Sequence, residues 1–192
     1  MMSRQLILQK IIDKKLPGSF SEIGIMKGSF SFQIIKTLLL NGINKNFDIF
    51  DFFDEDIKMT KKEDIKQIEE IYTRTKYKRK NEKQFLEASE KLGFKNLNCI
   101  KGNIEKSIPG FIEENNDMFC FIYIDVDVKN PTFVAVKNLW DRLVKGGIMI
   151  VDDYNSPKWG PFYEVDNFFK DKNVKITNLS NSVTYGICFE KL

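Results

Sequence analysis

The chain has 192 residues, 42% of them hydrophobic and 13% aromatic, which predicts one globular domain that buries about 70% of its unfolded surface. Its 30 basic and 27 acidic residues leave a net charge of +3, too near balance to imply a polyanionic partner. Histidine is absent, which excludes histidine triads, histidine zinc sites and histidine general bases.

Residues 3–15 place Leu8, Ile11 or Ile12, and Leu16 at helical spacing, so 1–16 reads as a short amphipathic N-terminal helix stopped by Pro17-Gly18. Leu6-Ile7-Leu8 is too short for a signal-peptide core, and no apolar run reaches the ~18 residues of a membrane span. The expected location is the cytoplasm. Ser19 to Gly24 reads as the first strand, Ser29 to Leu40 as the following helix, and Phe47 to Asp51 as the second strand. Residues 54–92 form a charged helical insertion, broken near Lys78 to Asn81. Strands are expected at 97–101, 121–127 and 148–152, the last entered through the turn Lys145-Gly146-Gly147. A helix over 131–143 begins on Pro131, which suits a first helical turn. Helix 161–171 and strands 174–179 and 184–190 complete the chain. Cys99, Cys120 and Cys188 all fall in strand-like apolar runs and read as buried, reduced thiols.

The pattern predicts an α/β fold: a doubly wound, seven-stranded, mostly parallel sheet with a C-terminal antiparallel hairpin and helices on both faces. No linker divides it, so 1–192 is expected to be a single domain. Ligands of such sheets bind at the carboxyl ends of the strands. There the fourth strand runs into Asp125-Val-Asp127 and the fifth into Asp152-Asp153. Crowded like charges persist mainly where a cation or a proton-transfer role compensates them. Carboxylates without soft ligands favour a hard cation such as Mg²⁺, which would lower a substrate hydroxyl's pKa while one aspartate removes the proton.

Glu22-Ile-Gly24-Ile-Met-Lys-Gly28 joins the first strand to its helix. With Met26 and Lys27 in the tight part of the turn, it lacks the third glycine of a dinucleotide cradle and suits a nucleoside without phosphates. Glu22 could meet a cationic amine, and Asp51 is placed to accept ribose hydroxyls.

Asp125-Val-Asp127-Val-Lys-Asn-Pro-Thr132, Lys145-Gly-Gly-Ile-Met-Ile-Val-Asp152-Asp153-Tyr154 and Val165-Asp-Asn-Phe-Phe169 resemble the macrocin O-methyltransferase (TylF-like) family, over about residues 17–170. The resemblance implies a Rossmann-like methyltransferase of class I, dependent on S-adenosylmethionine and a divalent metal, acting on hydroxyls of sugars in natural products or glycans. Carried over position by position, it implies that Asp125, Asp152 and Asp153 hold the metal and that Asp127 is the general base. It further implies that Glu22, Gly24, Gly28, Asp51 and Asn103 line the cofactor site, next to Asp125. Tyr154 and Trp159, beside the acids, are candidates for stacking on a sugar face. The short N-terminus leaves room for a second copy of the chain to cover the site.

Two rival readings differ in class. Arg74, Lys76, Lys78, Arg79, Lys80 and Lys83, interleaved with Tyr72 and Tyr77, could track the phosphates of an RNA substrate. Acids flank that run, so a solvated helical face is favoured and no nucleic-acid partner is expected. The other rival is a silent nucleoside-binding scaffold, which gives no reason for four repelling carboxylates.

Overall fold

The structure, a computed structural model, describes residues 3–53, 81–154, 163–179 and 186–192. Its strands are β1 (Ser19–Ile23), β2 (Phe47–Asp51), β3 (Leu97–Lys101), β4 (Phe119–Ile124), β5 (Leu143–Val151), β6 (Val174–Asn178) and β7 (Ile187–Lys191). Its helices are α1 (Arg4–Asp13), α2 (Ser29–Leu40), α3 (Glu82–Lys91), α4 (Ile104–Glu114), α5 (Lys129–Leu139) and α6 (Tyr163–Phe169). The strands form one seven-stranded sheet in the order β3-β2-β1-β4-β5-β7-β6. The first five in that order run parallel, and β7 is antiparallel to both β5 and β6, which is the expected hairpin.

The order reverses between β1 and β4, and such a reversal opens a crevice at the carboxyl ends of the two strands. Backbone hydrogen bonds carry the pairing past the strand ends: Gly24 N–H donates to the Phe50 carbonyl at 2.8 Å, Asp125 N–H to Ile23 at 2.8 Å, and Asp152 N–H to Ile124 at 2.9 Å. The ends of β2, β1, β4 and β5 are therefore level with one another at one mouth.

Both faces of the sheet are buried, which explains why β4 and residues 148–151 of β5 are apolar throughout rather than alternating. Ile7, Leu8, Ile11 and Ile12 of α1, Ile34, Ile35 and Leu38 of α2, and Phe85 of α3 cover one face. Ile104 and Ile108 of α4, Ala135, Val136 and Leu139 of α5, and Val165 and Phe169 of α6 cover the other. A fully buried aliphatic or aromatic side chain of this kind contributes roughly 1.5–3 kcal/mol. α1 starts on Ser3, whose hydroxyl accepts the Leu6 N–H, and its far end is fixed by Lys10 and Lys14, which pair with Glu190 of β7 at 2.8 and 2.7 Å.

Three expectations are corrected. α4 went unforeseen because Pro109 and Gly110 interrupt its sequence; a proline inside a helix removes one hydrogen bond and ordinarily breaks the helix. Burial of Ile104 and Ile108, with an Asn103 side-chain cap, holds it together. Lys145-Gly146-Gly147 is a bulge within β5 rather than a turn before it: Phe119 and Phe121 of β4 pair with Leu143 and Ile148. β4 ends at Ile124, so Asp125 and Asp127 project from the loop beyond it and not from the strand. Of the charged insertion, 82–91 is helical as expected; 54–80, with most of the basic run, lies outside the described residues. No helix among the described residues is long and apolar enough to cross a membrane.

Candidate active site

Asp125, Asp127 and Asp153 converge at the mouth between β1, β4 and β5, with one carboxylate oxygen from each lying within 4.8 Å of the others. Two of them depend on unusual backbone. Asp127 and Asp153 have φ of 59° and 51°, in the left-handed region that aspartate tolerates better than most residues. This conformation turns both side chains back toward Asp125, and such local strain is concentrated at functional sites. Burial and the neighbouring charges of Asp152, Asp127 and Asp153 push the Asp125 carboxyl well above its ordinary value, while Arg4 pulls it down.

Asp152 takes a different direction. Its Oδ2 accepts from Arg4 Nη2 at 2.5 Å and from the Tyr123 hydroxyl at 2.7 Å, and its Oδ1 has no hydrogen-bond partner among the described residues. Of the expected metal set, Asp125 and Asp153 lie together in this cluster with Asp127, while Asp152 is paired with Arg4 and Tyr123. The register gives the reason: Asp152 follows Val151 on β5 and turns toward α1, and Arg4 reaches it from the first turn of that helix.

The glycine turn abuts this cluster. A Cβ on Gly24 would stand 2.1 Å from the Asp125 carbonyl oxygen, so Gly24, at φ +79°, is what allows the ends of β1 and β4 to touch. Gly28 serves a different neighbour. Its open side is filled by Phe85, whose ring lies 2.2 Å from an added Cβ and stacks on Phe32.

Glu22, one residue before the end of β1, is only 2% exposed, and its Oε2 has no hydrogen-bond partner among the described residues. Burial raises its pKa to about 8; the nearby Ser31 hydroxyl opposes the rise, Asp51 adds to it, and Arg4 opposes it. An arriving ammonium group would relieve that burial penalty. Asp51 closes the other side of the turn, accepting the Ile25 N–H at 2.8 Å and the Phe53 N–H at 2.9 Å, one on each oxygen. Asn103 caps α4, its Oδ1 accepting the Glu105 N–H at 2.9 Å.

Tyr154, expected as a substrate contact, lies largely buried beside the cluster. It is 5% exposed, packs edge-on to Phe189 at 6.1 Å and donates its hydroxyl to Asp166, within the core on the α4–α6 face. Trp159 lies outside the described residues. Arg4 and Tyr123 were not foreseen as site residues. Tyr123 carried a signal: a tyrosine within a strand buried on both faces needs a partner for its hydroxyl, and here that partner is the acid pair at the mouth.

The sequence profile of the macrocin-O-methyltransferase (TylF) family matches residues 1–190. Among solved structures, the chain resembles the O-methyltransferase NovP, with TM-score 0.77, 16% identity, and 96% of this chain and 76% of that chain covered. It resembles the calicheamicin methyltransferase CalS11 with TM-score 0.68, 16% identity, and 97% and 80% coverage. The methyltransferase PaMTH1 of Podospora anserina, crystallised with S-adenosylhomocysteine (SAH), matches with TM-score 0.59, 15% identity, and 100% and 80% coverage. At these identities the likeness shows the fold. No curated protein sequence matches the chain.

Proposed function

The chain belongs to the macrocin-O-methyltransferase (TylF) family, and from that premise we propose that it transfers a methyl group from S-adenosylmethionine to a hydroxyl of a sugar, glycan or natural-product acceptor, with a divalent cation, Mg²⁺, at the acid cluster. The observation that carries this reading is the convergence of Asp125, Asp127 and Asp153 beside the Gly24 turn. The residues fit both groups. Glu22 offers the donor's ammonium a buried oxygen that has no partner among the described residues, and the three carboxylates repel one another and supply only hard oxygen ligands. NovP and CalS11 are both described as methyltransferases, and the SAH-bound PaMTH1 supports the donor.

Methyl transfer from a sulfonium to an oxygen is an in-line displacement in which opposite charges cancel, so a site that fixes distances and excludes water favours it. When bound, the cation lowers the pKa of a hydroxyl beside it, and the donor supplies the methyl group. Asp125 and Asp153 would hold the cation, and Asp127, beside them, takes the proton from the acceptor hydroxyl. Asp51, fixed by the Ile25 and Phe53 amides, keeps lone pairs free for the ribose hydroxyls. Asn103 stands at the end of β3, where the adenine would lie.

The experiment is transfer of tritiated methyl from S-adenosylmethionine across a panel of glycosides and nucleotide sugars. The expected label is an oxygen-linked methyl, reduced about 100-fold or more by excess chelator and restored by Mg²⁺. Equal rates with and without chelator would remove the cation from the scheme. Label found only on RNA would replace the acceptor class.

A further inference from the structure

The glycine turn and the end of β2 meet on one side chain that the proposed reaction does not use, Phe85 of α3. Phe85 is fully buried. Its ring stacks on Phe32 of α2, with centroids 5.6 Å apart and planes 6° from parallel, and stands edge-on to Phe53 at 5.9 Å. It also fills the open side of Gly28, the N-cap of α2, so that a Cβ there would run into the ring. Phe53 is itself left-handed, at φ 55°, a conformation that a bulky residue rarely adopts. Burial of its ring against Phe85 opposes that strain. α3 fixes Phe85 through its own start, where Asn81 and Gln84 form a reciprocal capping box, each side chain accepting the other's backbone N–H.

Asp51 links the same two segments. Its carboxylate oxygens accept the Ile25 N–H of the glycine turn and the Phe53 N–H, and the Gly28 N–H closes the turn on the Ile25 carbonyl at 2.7 Å. The turn and the β2 end are thus tied together twice, through Asp51 and through the Phe85 ring. We propose that Phe85 is a positioning residue for the methyl donor, its ring fixing the spacing between the Gly24–Gly28 turn and Asp51. The inference rests on the donor reading above and deepens it. A preformed site spares the donor the cost of ordering these segments, so affinity depends on what keeps them in place. Leucine at position 85 leaves a gap against Gly28 and Phe53, and a packed interior relaxes only partly around such a gap. Phe53 is then free to leave its left-handed conformation, and its hydrogen bond to Asp51 shifts with it. That loss falls on donor affinity as well as on stability, which separates Phe85 from an ordinary core residue.

The test is calorimetric titration of S-adenosylmethionine into the full chain, at a temperature where every variant is folded. The variants are Phe85→Leu, Gly28→Ala, the two combined, and Phe119→Leu. Phe119, fully buried at the end of β4 away from the mouth, is the control for the same truncation elsewhere in the core. Phe85→Leu is expected to weaken the donor about tenfold and Phe119→Leu less than about twofold. Gly28→Ala is expected to weaken it too, but at least about threefold less in the Phe85→Leu background, where the added methyl has room. Equal losses in Phe85→Leu and Phe119→Leu overturn the proposal, because affinity then follows general stability. Unchanged affinity in Phe85→Leu, or independent costs of Gly28→Ala and Phe85→Leu, overturns it while leaving the donor reading intact. Absence of donor binding in wild type removes both. If Phe85→Leu fails to fold, Phe85→Met and Phe119→Met take their places under the same comparison.

Discussion

Asp127→Asn lowers kcat by about 10³-fold while leaving the affinity for S-adenosylmethionine within about threefold, as expected for the loss of a general base. The substitution isolates the chemistry. Asparagine has nearly the shape of aspartate and tolerates the same left-handed backbone, so φ of 59° is retained. What disappears is the basic oxygen. Removing a charge that pushes up the Asp125 carboxyl also relieves repulsion in the free protein, so its melting temperature is expected to stay level or rise. Single-turnover transfer of labelled methyl, read beside calorimetry with the donor, checks both parts. Equal losses of turnover and donor affinity would make Asp127 a scaffold of the pocket and not its base.

Gly24→Ala is expected to have the largest effect on stability. Its Cβ would sit 2.1 Å from the Asp125 carbonyl oxygen and 2.8 Å from Val126 Cγ1, and the backbone φ of +79° already disfavours any side chain. Left-handed strain costs about 1–3 kcal/mol and overpacking about the same again. For a chain of this size that corresponds to a drop in melting temperature of about 10 °C. The control is Gly42→Ala, at φ +64° with no atom within 4 Å of an added Cβ, which carries the backbone strain without the clash. Equal melting temperatures for the two variants would mean that β1 and β4 do not depend on this contact. Because the displaced neighbour is Asp125 itself, Gly24→Ala is also expected to disturb the acid cluster.

The centre of the sheet was legible because β4 and the end of β5 are apolar on both faces, and runs such as Phe121-Ile122-Tyr123-Ile124 leave little ambiguity about burial. The helix over 29–40 and the strands over 47–51 and 97–101 follow the predicted bounds. α4 was hidden because Pro109 and Gly110 are local breakers, and tertiary burial of Ile104 and Ile108 overrides them. At the site, periodicity could bring the acids to one mouth but could not assign them directions. Side-chain alternation along a strand cannot be extended into a loop, and the left-handed turns at Asp127 and Asp153 decide which carboxylates meet. Arg4 was illegible for another reason. It lies 148 residues from Asp152 in the sequence, and only the packing of α1 against the sheet brings the two together. Tyr154 follows the acids in sequence, but the packing of its ring into the core of the α4–α6 face could not be read from that position.

The central claim is that the turn at Glu22–Gly28 and the acids at the β4 and β5 ends form one pocket for a methyl donor. Titration of S-adenosylmethionine into the Mg²⁺-supplemented chain, run at pH 7 in two buffers of different ionisation heat, tests it most directly. Glu22, whose pKa burial raises to about 8, carries its proton at that pH in the free protein and is expected to lose it to solvent when the donor's ammonium arrives. The account predicts saturable binding of one donor per chain with proton release, and loss of that release in Glu22→Gln. Absence of saturable binding would contradict it.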